Sequence, residues 1–372
     1  MTSADKRRLG IYLHVPFCMS KCAYCDFYSI PRADSAPRLV RAIAGEYMLR
    51  KDEIDGEPET LYIGGGTPSV LPLGLFEELA GQLPRPKREF TIEVNPEDVT
   101  PQSVAAWKRA GVNRVSMGVQ SLVDSELLAV GRRHTARRAI EAVDCLRREG
   151  ISNLSLDLIY GLPGQSIESW TRSLSALLQL RPEHLSAYIL SYEPRTRLTS
   201  MLRAGKIEQT PDSDIEQMYG ILCRLTREAG YEHYEISNFA LPGCRSRHNS
   251  GYWQGTAYLG LGPSAHSYDG RLRRINPPSV SQYLSLIETG KTACEIDPED
   301  DDNRFNDTLV TRLRTAEGLD TAKLDPDRRT HLLHDAAPLR ERGLLTLNGT
   351  FLTIPEEHWL ISDSIITDLI QI

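Results

Sequence analysis

Three cysteines crowd into the stretch "PFCMSKCAYCDF", at Cys18, Cys22 and Cys25, with a gap of three residues and then one of two. Thiolates at that density bind soft metals, as zinc or as an iron–sulfur cluster. Zinc takes four ligands, and His14, just upstream of Cys18, could complete such a set. A [4Fe–4S] cube held by three thiolates instead leaves one iron open to an outside ligand. Purely structural thiols have no reason to share so short a loop. The other four cysteines (Cys145, Cys223, Cys244, Cys294) are scattered and the total of seven is odd, which argues against a disulfide framework and for reduced thiols in the cytoplasm.

Other polar residues stand where apolar ones would be expected. "GGGTP" (Gly64 to Pro68) follows an apolar run, and glycines there let backbone approach a ligand closely. Glu93 and Asp157 lie inside apolar runs, and carboxylates are rarely buried without a partner. A salt bridge or a ligand-binding role would each explain them. Gln120 closes another run, and Arg132 follows in "GRRH".

The elements that must position these residues are legible as periodicities. Short apolar runs at 10–15, 60–65, 90–94, 114–120, 154–161 and 184–190 alternate with helical patterns at 38–51, 72–83, 101–110, 135–149 and 167–180. This α/β series predicts a parallel sheet covered by helices, either an incomplete barrel or a doubly wound sheet. In both cases the chemistry belongs at the C-terminal ends of the strands, where the cysteine loop falls. Residues 1–195 are expected to form this core and 196–303 an α+β middle region, with the acidic run 297–303 as a solvated connection. Residues 304–372 read as a small winged-helix-like C-terminal domain, with Asn348-Gly349 turning a hairpin.

The chain has 372 residues and a net charge of −7, which disfavours a nucleic-acid surface. No apolar run approaches the roughly 20 residues of a membrane span, and the N-terminus lacks a secretory h-region. Transient membrane association would leave no such mark.

The spacing C-x3-C-x2-C on the first strand's loop, with Tyr24 before the third cysteine, resembles the radical S-adenosylmethionine (SAM) superfamily. That resemblance implies an incomplete (β/α)6 barrel and a [4Fe–4S] cluster on Cys18, Cys22 and Cys25. It also implies that SAM chelates the open iron and, on one-electron reduction, yields a 5′-deoxyadenosyl radical, which requires an electron donor. "LYIGGGTPS", "IEVNPE", "RVSMGVQS", "DLIYGLPGQ", "HYEISNFA", "HNSGYW" and "YLGLGPSAHSY" narrow the resemblance to the family of oxygen-independent coproporphyrinogen III oxidase and its relatives. By that match Tyr12, Tyr24, Gly65, Gly66, Thr67, Glu93, Gln120, Arg132 and Asp157 would line SAM.

Within that family the chain is most similar to the HemW branch of heme chaperones. The oxidases carry a further cysteine where this chain has Phe27, and a longer arm before the cluster; "HNSGYW" fits the chaperones' HNxxYW signature. A histidine can ligate heme iron and aromatic rings can pack on a porphyrin, so His248 is the heme candidate, with Tyr252 and Trp253 beside it. Cys244 and His266 are secondary candidates. An isolated surface loop is the plain alternative for this motif. The expected partners are heme and acceptor hemoproteins; the alternative activity is decarboxylation of coproporphyrinogen III, for which the barrel loops offer only Arg132, Arg133 and few other cations to clamp carboxylates.

Overall fold

Along β1 (Gly10–Val15), Ile11, Leu13 and Val15 are fully buried on one face while Tyr12 and His14 share the other. The computed structural model describes residues 9–31, 34–53, 56–292, 294–297 and 300–371. The same alternation recurs in β2 (Thr60–Gly65), β3 (Glu89–Val94), β4 (Arg114–Gln120), β5 (Asn153–Tyr160) and β6 (His184–Ile189). One face carries Leu61, Ile63, Ile92, Val115, Met117, Leu156 and Leu185, all in the main apolar core. The opposite face carries Tyr62, Glu93, Arg114, Ser116, Asp157 and His184. Complete barrels fill that interior with branched apolar residues; this one is filled with groups that hydrogen-bond.

The apolar face is covered by α1 (Ala36–Arg50), α2 (Leu73–Gly81), α3 (Pro101–Ala110), α4 (Asp124–Ala129), α5 (Ala136–Arg148) and α6 (Ile167–Gln179). Local chemistry fixes their starts. In capping boxes, Thr100 accepts from the Ser103 N–H at the start of α3 and Ser166 from the Ser169 N–H at the start of α6. The six strands run parallel in sequential order, β1 to β6. With no reversal of strand order there is no doubly wound sheet, and β1 does not pair with β6, so the barrel is open.

Later segments lengthen the sheet at both edges. After α7 (Arg197–Arg203) and α8 (Asp212–Glu228) come β7 (Glu232–Glu235) and β8 (Asn238–Ala240); β8 pairs antiparallel with β6, and β7 pairs antiparallel with β8 at the edge. Next come α9 (Arg247–Trp253), β9 (Tyr258–Leu261), β10 (His266–Tyr268), β11 (Arg273–Ile275), α10 (Val280–Glu288) and β12 (Glu295–Asp297). Of these, β9 pairs parallel with β1 and carries the antiparallel β10–β11–β12 outward. The "HNSGYW" motif is therefore helical, as α9, where a loop was the plain alternative.

The C-terminal unit holds α11 (Asp301–Arg312), β13 (Leu319–Asp320), α12 (Pro326–Glu341), the hairpin β14 (Thr346–Asn348) and β15 (Phe351–Thr353), and α13 (Ser362–Thr367). Its three strands form a separate sheet in a winged-helix-like arrangement, and Gly349 takes the positive φ of 63° that the tight turn demands. The acidic run is corrected by the structure. Residues 298–299 lie outside the described residues, but Asp300 caps α11 by accepting from the N–H of Asn303, and Asp301 and Asp302 occupy its first turn. Carboxylates there offset the helix dipole, so charge begins the helix rather than bridging to it.

A buried ion pair fastens β9 to the barrel. Arg50 and Glu46, both fully enclosed, contact at 2.9 Å on α1. Arg50 also donates to the Gly260 carbonyl (3.1 Å) and to Ser267 (3.0 Å), while Glu46 accepts from the Gly262 N–H (2.8 Å), Asn276 (2.8 Å) and Tyr283 (2.7 Å). Removing one partner leaves an uncompensated buried charge. Arg50→Ala is predicted to cost about 3–5 kcal/mol in chemical denaturation; a loss within the range of a surface substitution would show that β9 is held otherwise.

Candidate functional site

The loop after β1 carries Cys18, Cys22 and Cys25, all partly exposed. Its ends are closed by two backbone bonds, Cys18 N–H to the Ile30 carbonyl (3.0 Å) and Ile30 N–H to the Pro16 carbonyl (2.7 Å). Ala23 ties the middle down, donating to Val130 (2.9 Å) and accepting from Leu198 (2.8 Å). Burial pushes the Cys18 and Cys25 thiols up, which holds the protons on them until a metal displaces them. His14 is no fourth ligand in this arrangement: its Nε2 meets the Tyr28 carbonyl at 2.9 Å and its Nδ1 the Tyr12 hydroxyl at 3.1 Å.

The glycines of "GGGTP" have a steric reason. A Cβ on Gly66 would stand 2.7 Å from the Phe17 carbonyl oxygen, and one on Gly65 would stand 2.9 Å from the His14 ring. Gly65 also adopts a φ of 115°, accessible to few other residues. Backbone closeness here seats the cysteine loop, and Gly66 N–H donates to the Val15 carbonyl at 2.8 Å.

A chain of side chains then joins two of the thiols. Cys18 Sγ lies 3.1 Å from Thr67 Oγ1, which accepts from Asn95 Nδ2 at 3.2 Å. Asn95 Oδ1 accepts from Arg132 Nη2 (2.8 Å), and Arg132 Nη1 points at Cys22 Sγ (3.6 Å). Asn95 is the member that residue-by-residue reading missed. It sits in the quoted "IEVNPE", but nothing in the local pattern distinguishes it from an ordinary turn asparagine. Tyr24, between the second and third cysteines, has its hydroxyl held protonated by burial.

The remaining polar residues converge on the same strand ends. Gln120 is left-handed (φ 67°) at a bulge where β4 and β5 slip register, and its Oε1 is buried without a hydrogen-bond partner among the described residues. The Nε of Arg132 is likewise buried and unpartnered. Glu93 accepts from Tyr62 Oη (2.8 Å) and from the Gly65 N–H (3.1 Å); burial pushes its carboxyl up to about 7 despite them. Asp157, near Ser116 and Ser155, is pushed up to about 6, again chiefly by burial. Such a set of orphaned donors and acceptors beside desolvated carboxylates suits a polar ligand with a cationic group.

His248 is brought to a different place. Its ring lies against the first residues of β1 and β2, at the opposite strand ends from the cysteines: Nδ1 meets Thr60 Oγ1 at 2.8 Å, and Nε2 meets Tyr252 Oη at 2.8 Å. Burial holds the imidazole neutral, its pKa lowered to about 3. Glu89 anchors the helix by accepting from the N–H groups of Arg247 (3.0 Å) and His248 (3.1 Å). The His248 ring stacks on Tyr62 at 5.1 Å, and Tyr62 stacks in turn on Tyr12 at 6.1 Å. A cavity of about 460 Å3 opens beside them, lined by Tyr12, Tyr62, Glu93, Tyr188, Tyr252 and Trp253 among others. The Trp253 Nε1 is buried there without a partner among the described residues. Of the secondary candidates, His266 is exposed on β10, and Cys244 is half-buried on a turn with its Sγ 3.9 Å from the Pro242 carbonyl.

An open six-stranded parallel barrel with a three-cysteine loop after its first strand defines a radical SAM protein, and the sequence model described as "Radical SAM superfamily" matches residues 12–177. Among curated proteins, "Heme chaperone HemW" of Mycobacterium tuberculosis is 33% identical across 97% of this chain and 94% of its own length. The Bacillus subtilis protein of the same name is 36% identical across 74% and 75%. Among solved structures, coproporphyrinogen III oxidase (HemN) from Escherichia coli, described as a radical SAM enzyme, superposes with a TM-score of 0.85 at 23% identity, covering 98% of this chain and 90% of that one. The chain belongs to the HemW heme-chaperone family. Membership in the superfamily implies a [4Fe–4S] cluster and SAM, and the thiols, the Gly66 seat and the orphaned Gln120 and Arg132 atoms fit such a group. Among the described residues no helix is long and apolar enough to cross a membrane.

Two outcomes test this geometry. Gly66→Ala forces the cysteine loop off its seat, so iron and sulfide content after anaerobic reconstitution is expected to collapse; full cluster occupancy would show that the seat is dispensable. Second, the folded chain retains the Glu93 proton at pH values where the unfolded chain has released it. This burial therefore lowers stability as pH rises from the ordinary carboxylate range to about 7. Glu93→Gln is expected to flatten that decline in thermal midpoints of cluster-free protein; an unchanged slope would assign the decline to other groups.

Proposed function

We propose that this chain is a cytoplasmic heme chaperone that binds heme, carries a [4Fe–4S] cluster with SAM, and passes heme to acceptor hemoproteins. The observation that carries the reading is the physical connection between its two motifs. The His248 ring of α9 stacks on Tyr62, and Tyr62 donates to Glu93, one of the residues fitted to SAM. Occupancy at the strands' C-terminal ends can thus bear on the helix at their other ends through two side chains.

In this scheme Cys18, Cys22 and Cys25 hold the cluster, Arg132 and Thr67 orient two of the thiols, and Glu93, Gln120 and Asp157 face the SAM side. When bound, the cluster and SAM supply one-electron chemistry, fed by an electron donor. The chain's own residues position the polar groups and exclude water from the strand ends. Tyr12, with its hydroxyl held protonated by burial, packs beside them and donates toward His14. Heme ligation through His248 Nε2 would exchange the Tyr252 hydrogen bond for iron, with Tyr252 and Trp253 as the flat contact surface.

The cations argue against clamping a tetracarboxylate at the barrel mouth. Arg132 is committed to Asn95 and to the Gly118 carbonyl, and Arg133 stands 3.8 Å from Glu97. Phe27, where the oxidases have a cysteine, points outward and is 70% exposed. Heme titration of anaerobically reconstituted protein is expected to give a stable complex that His248→Ala weakens about 10-fold or more, with no protoporphyrinogen formed from coproporphyrinogen III, SAM and dithionite. Absence of heme binding by the wild-type protein, or formation of that product, would overturn the reading.

A further inference from the structure

Away from the barrel mouth, α8, β7 and the C-terminal unit bring three ligating side chains together. Cys223 Sγ lies 4.0 Å from His233 Nδ1, and His233 Nδ1 lies 2.9 Å from Glu356 Oε1. The three ligating atoms all fall within 4.8 Å of one another. They border a cavity of about 350 Å3 that Thr226, Arg227, Tyr231 and Trp359 also line.

The arrangement is convergent rather than serial. In a nucleophile–base–acid relay, the histidine presents one nitrogen to the thiol and the other to the carboxylate. Here thiol and carboxylate both face Nδ1, while Nε2 is turned to the Ile236 carbonyl at 3.3 Å. Donation from Nε2 to that carbonyl leaves the Nδ1 lone pair pointing at the Glu356 oxygen, two acceptors in contact unless a proton or a cation lies between them. The imidazole is also fixed in place: it stacks on Phe239 at 4.0 Å and meets the edge of Trp359 at 4.4 Å. A fixed ring, a supporting hydrogen bond on its far nitrogen and a near nitrogen aimed at two further ligands are what a metal-binding histidine requires.

We propose that Cys223, His233 and Glu356 bind a single divalent ion of the zinc class, joining the sheet extension to the C-terminal unit. A thiolate, an imidazole and a carboxylate form a mixed set of borderline softness, which favours zinc over calcium or magnesium. Three protein ligands leave a fourth position, and the cavity supplies room for water or an exchangeable ligand there. Binding displaces the Cys223 proton to solvent, forms the Sγ–, Nδ1– and Oε–metal bonds and changes no oxidation state. Arg227, 2.5 Å from Glu356 Oε2, orients the carboxylate from outside. Since Cys223 lies on α8, His233 on β7 of the sheet extension, and Glu356 after β15, the ion would restrain the C-terminal unit directly.

The cluster thiols also take zinc, so the test measures both metals. Full-length protein with its iron–sulfur cluster reconstituted is equilibrated with zinc, desalted, and analysed for zinc and iron together. About one zinc per chain is expected beyond the cluster iron. Cys223→Ala and Glu356→Gln should each lose that zinc with iron unchanged. Competition against a chromophoric zinc chelator should show affinity falling beyond the about 10–100-fold that loss of a mere supporting hydrogen bond costs. Glu356→Gln keeps the side chain's size at a part-exposed position, so it reads the site even if Cys223→Ala disturbs packing. The proposal is overturned if wild-type protein retains no more zinc than the variants do, or if the zinc disappears with Cys18→Ala and persists in Glu356→Gln. Neither readout involves heme.

Discussion

The absence of one carbon atom at Gly66 decides where the cysteine loop can sit. A Cβ there would stand 2.7 Å from the Phe17 carbonyl oxygen and 2.9 Å from the Pro16 carbonyl carbon, well inside contact distance. Because β1 and β2 pair in parallel with Val15 opposite Gly65, the two loops leave the sheet side by side. The Thr67 hydroxyl then falls beside Cys18, Asn95 beside Thr67, and Arg132 beside both Asn95 and Cys22. Each contact in that chain presupposes the close approach of the backbones at its start.

A second constraint follows from filling a barrel with polar residues. Glu93, Asp157, Arg114 and His184 lie in an interior that water reaches poorly, and burial raises both carboxyls while lowering the histidine. The structure compensates partly, through Tyr62 and Gly65 at Glu93 and through the hydroxyls around Asp157. It leaves Gln120, Arg114 and Arg132 with unpartnered atoms among the described residues. A protein selected for stability alone would not retain this imbalance. The deficit lies on the strand face and ends that the cysteine loop overlooks, which is where a polar cofactor with both charges could redress it.

What the sequence made legible was what is local. Cys18, Cys22 and Cys25 are readable because ligand spacing on one loop is a property of consecutive residues, and the six parallel strands because their apolar periodicity is strict. The parallel runs 10–15, 60–65 and 114–120 coincide with β1, β2 and β4. Features that depend on distant pairing were not readable. The Glu46–Arg50 pair looks like a surface i,i+4 couple until β9 and α10 enclose it. Asn95 acquires a role only when Thr67 and Arg132 arrive from neighbouring strands. The helical state of "HNSGYW" depends on Glu89, from the start of β3, accepting its first N–H groups. The acidic run was read as a connection along its whole length, but Asp300 caps α11 and Asp301, Asp302 and Asn303 form its first turn.

Pairing between distant segments also limits what His248 can be. Its two nitrogens already have partners, and its ring is the floor of an aromatic stack that runs through Tyr62 toward Glu93. A histidine installed only to ligate iron from solvent would not need to be buried at the strands' N-terminal ends with neutral charge enforced. One that must register events at the cluster end would need to touch the stack and to have an exchangeable partner. Thr60 holds one nitrogen from the sheet, whereas Tyr252, one turn away on the same helix α9, holds the other. Freeing Nε2 therefore needs only a turn of the Tyr252 side chain, since His248 rides on the same helix, so the exchange proposed for heme would leave the Thr60 contact and the barrel strands in place.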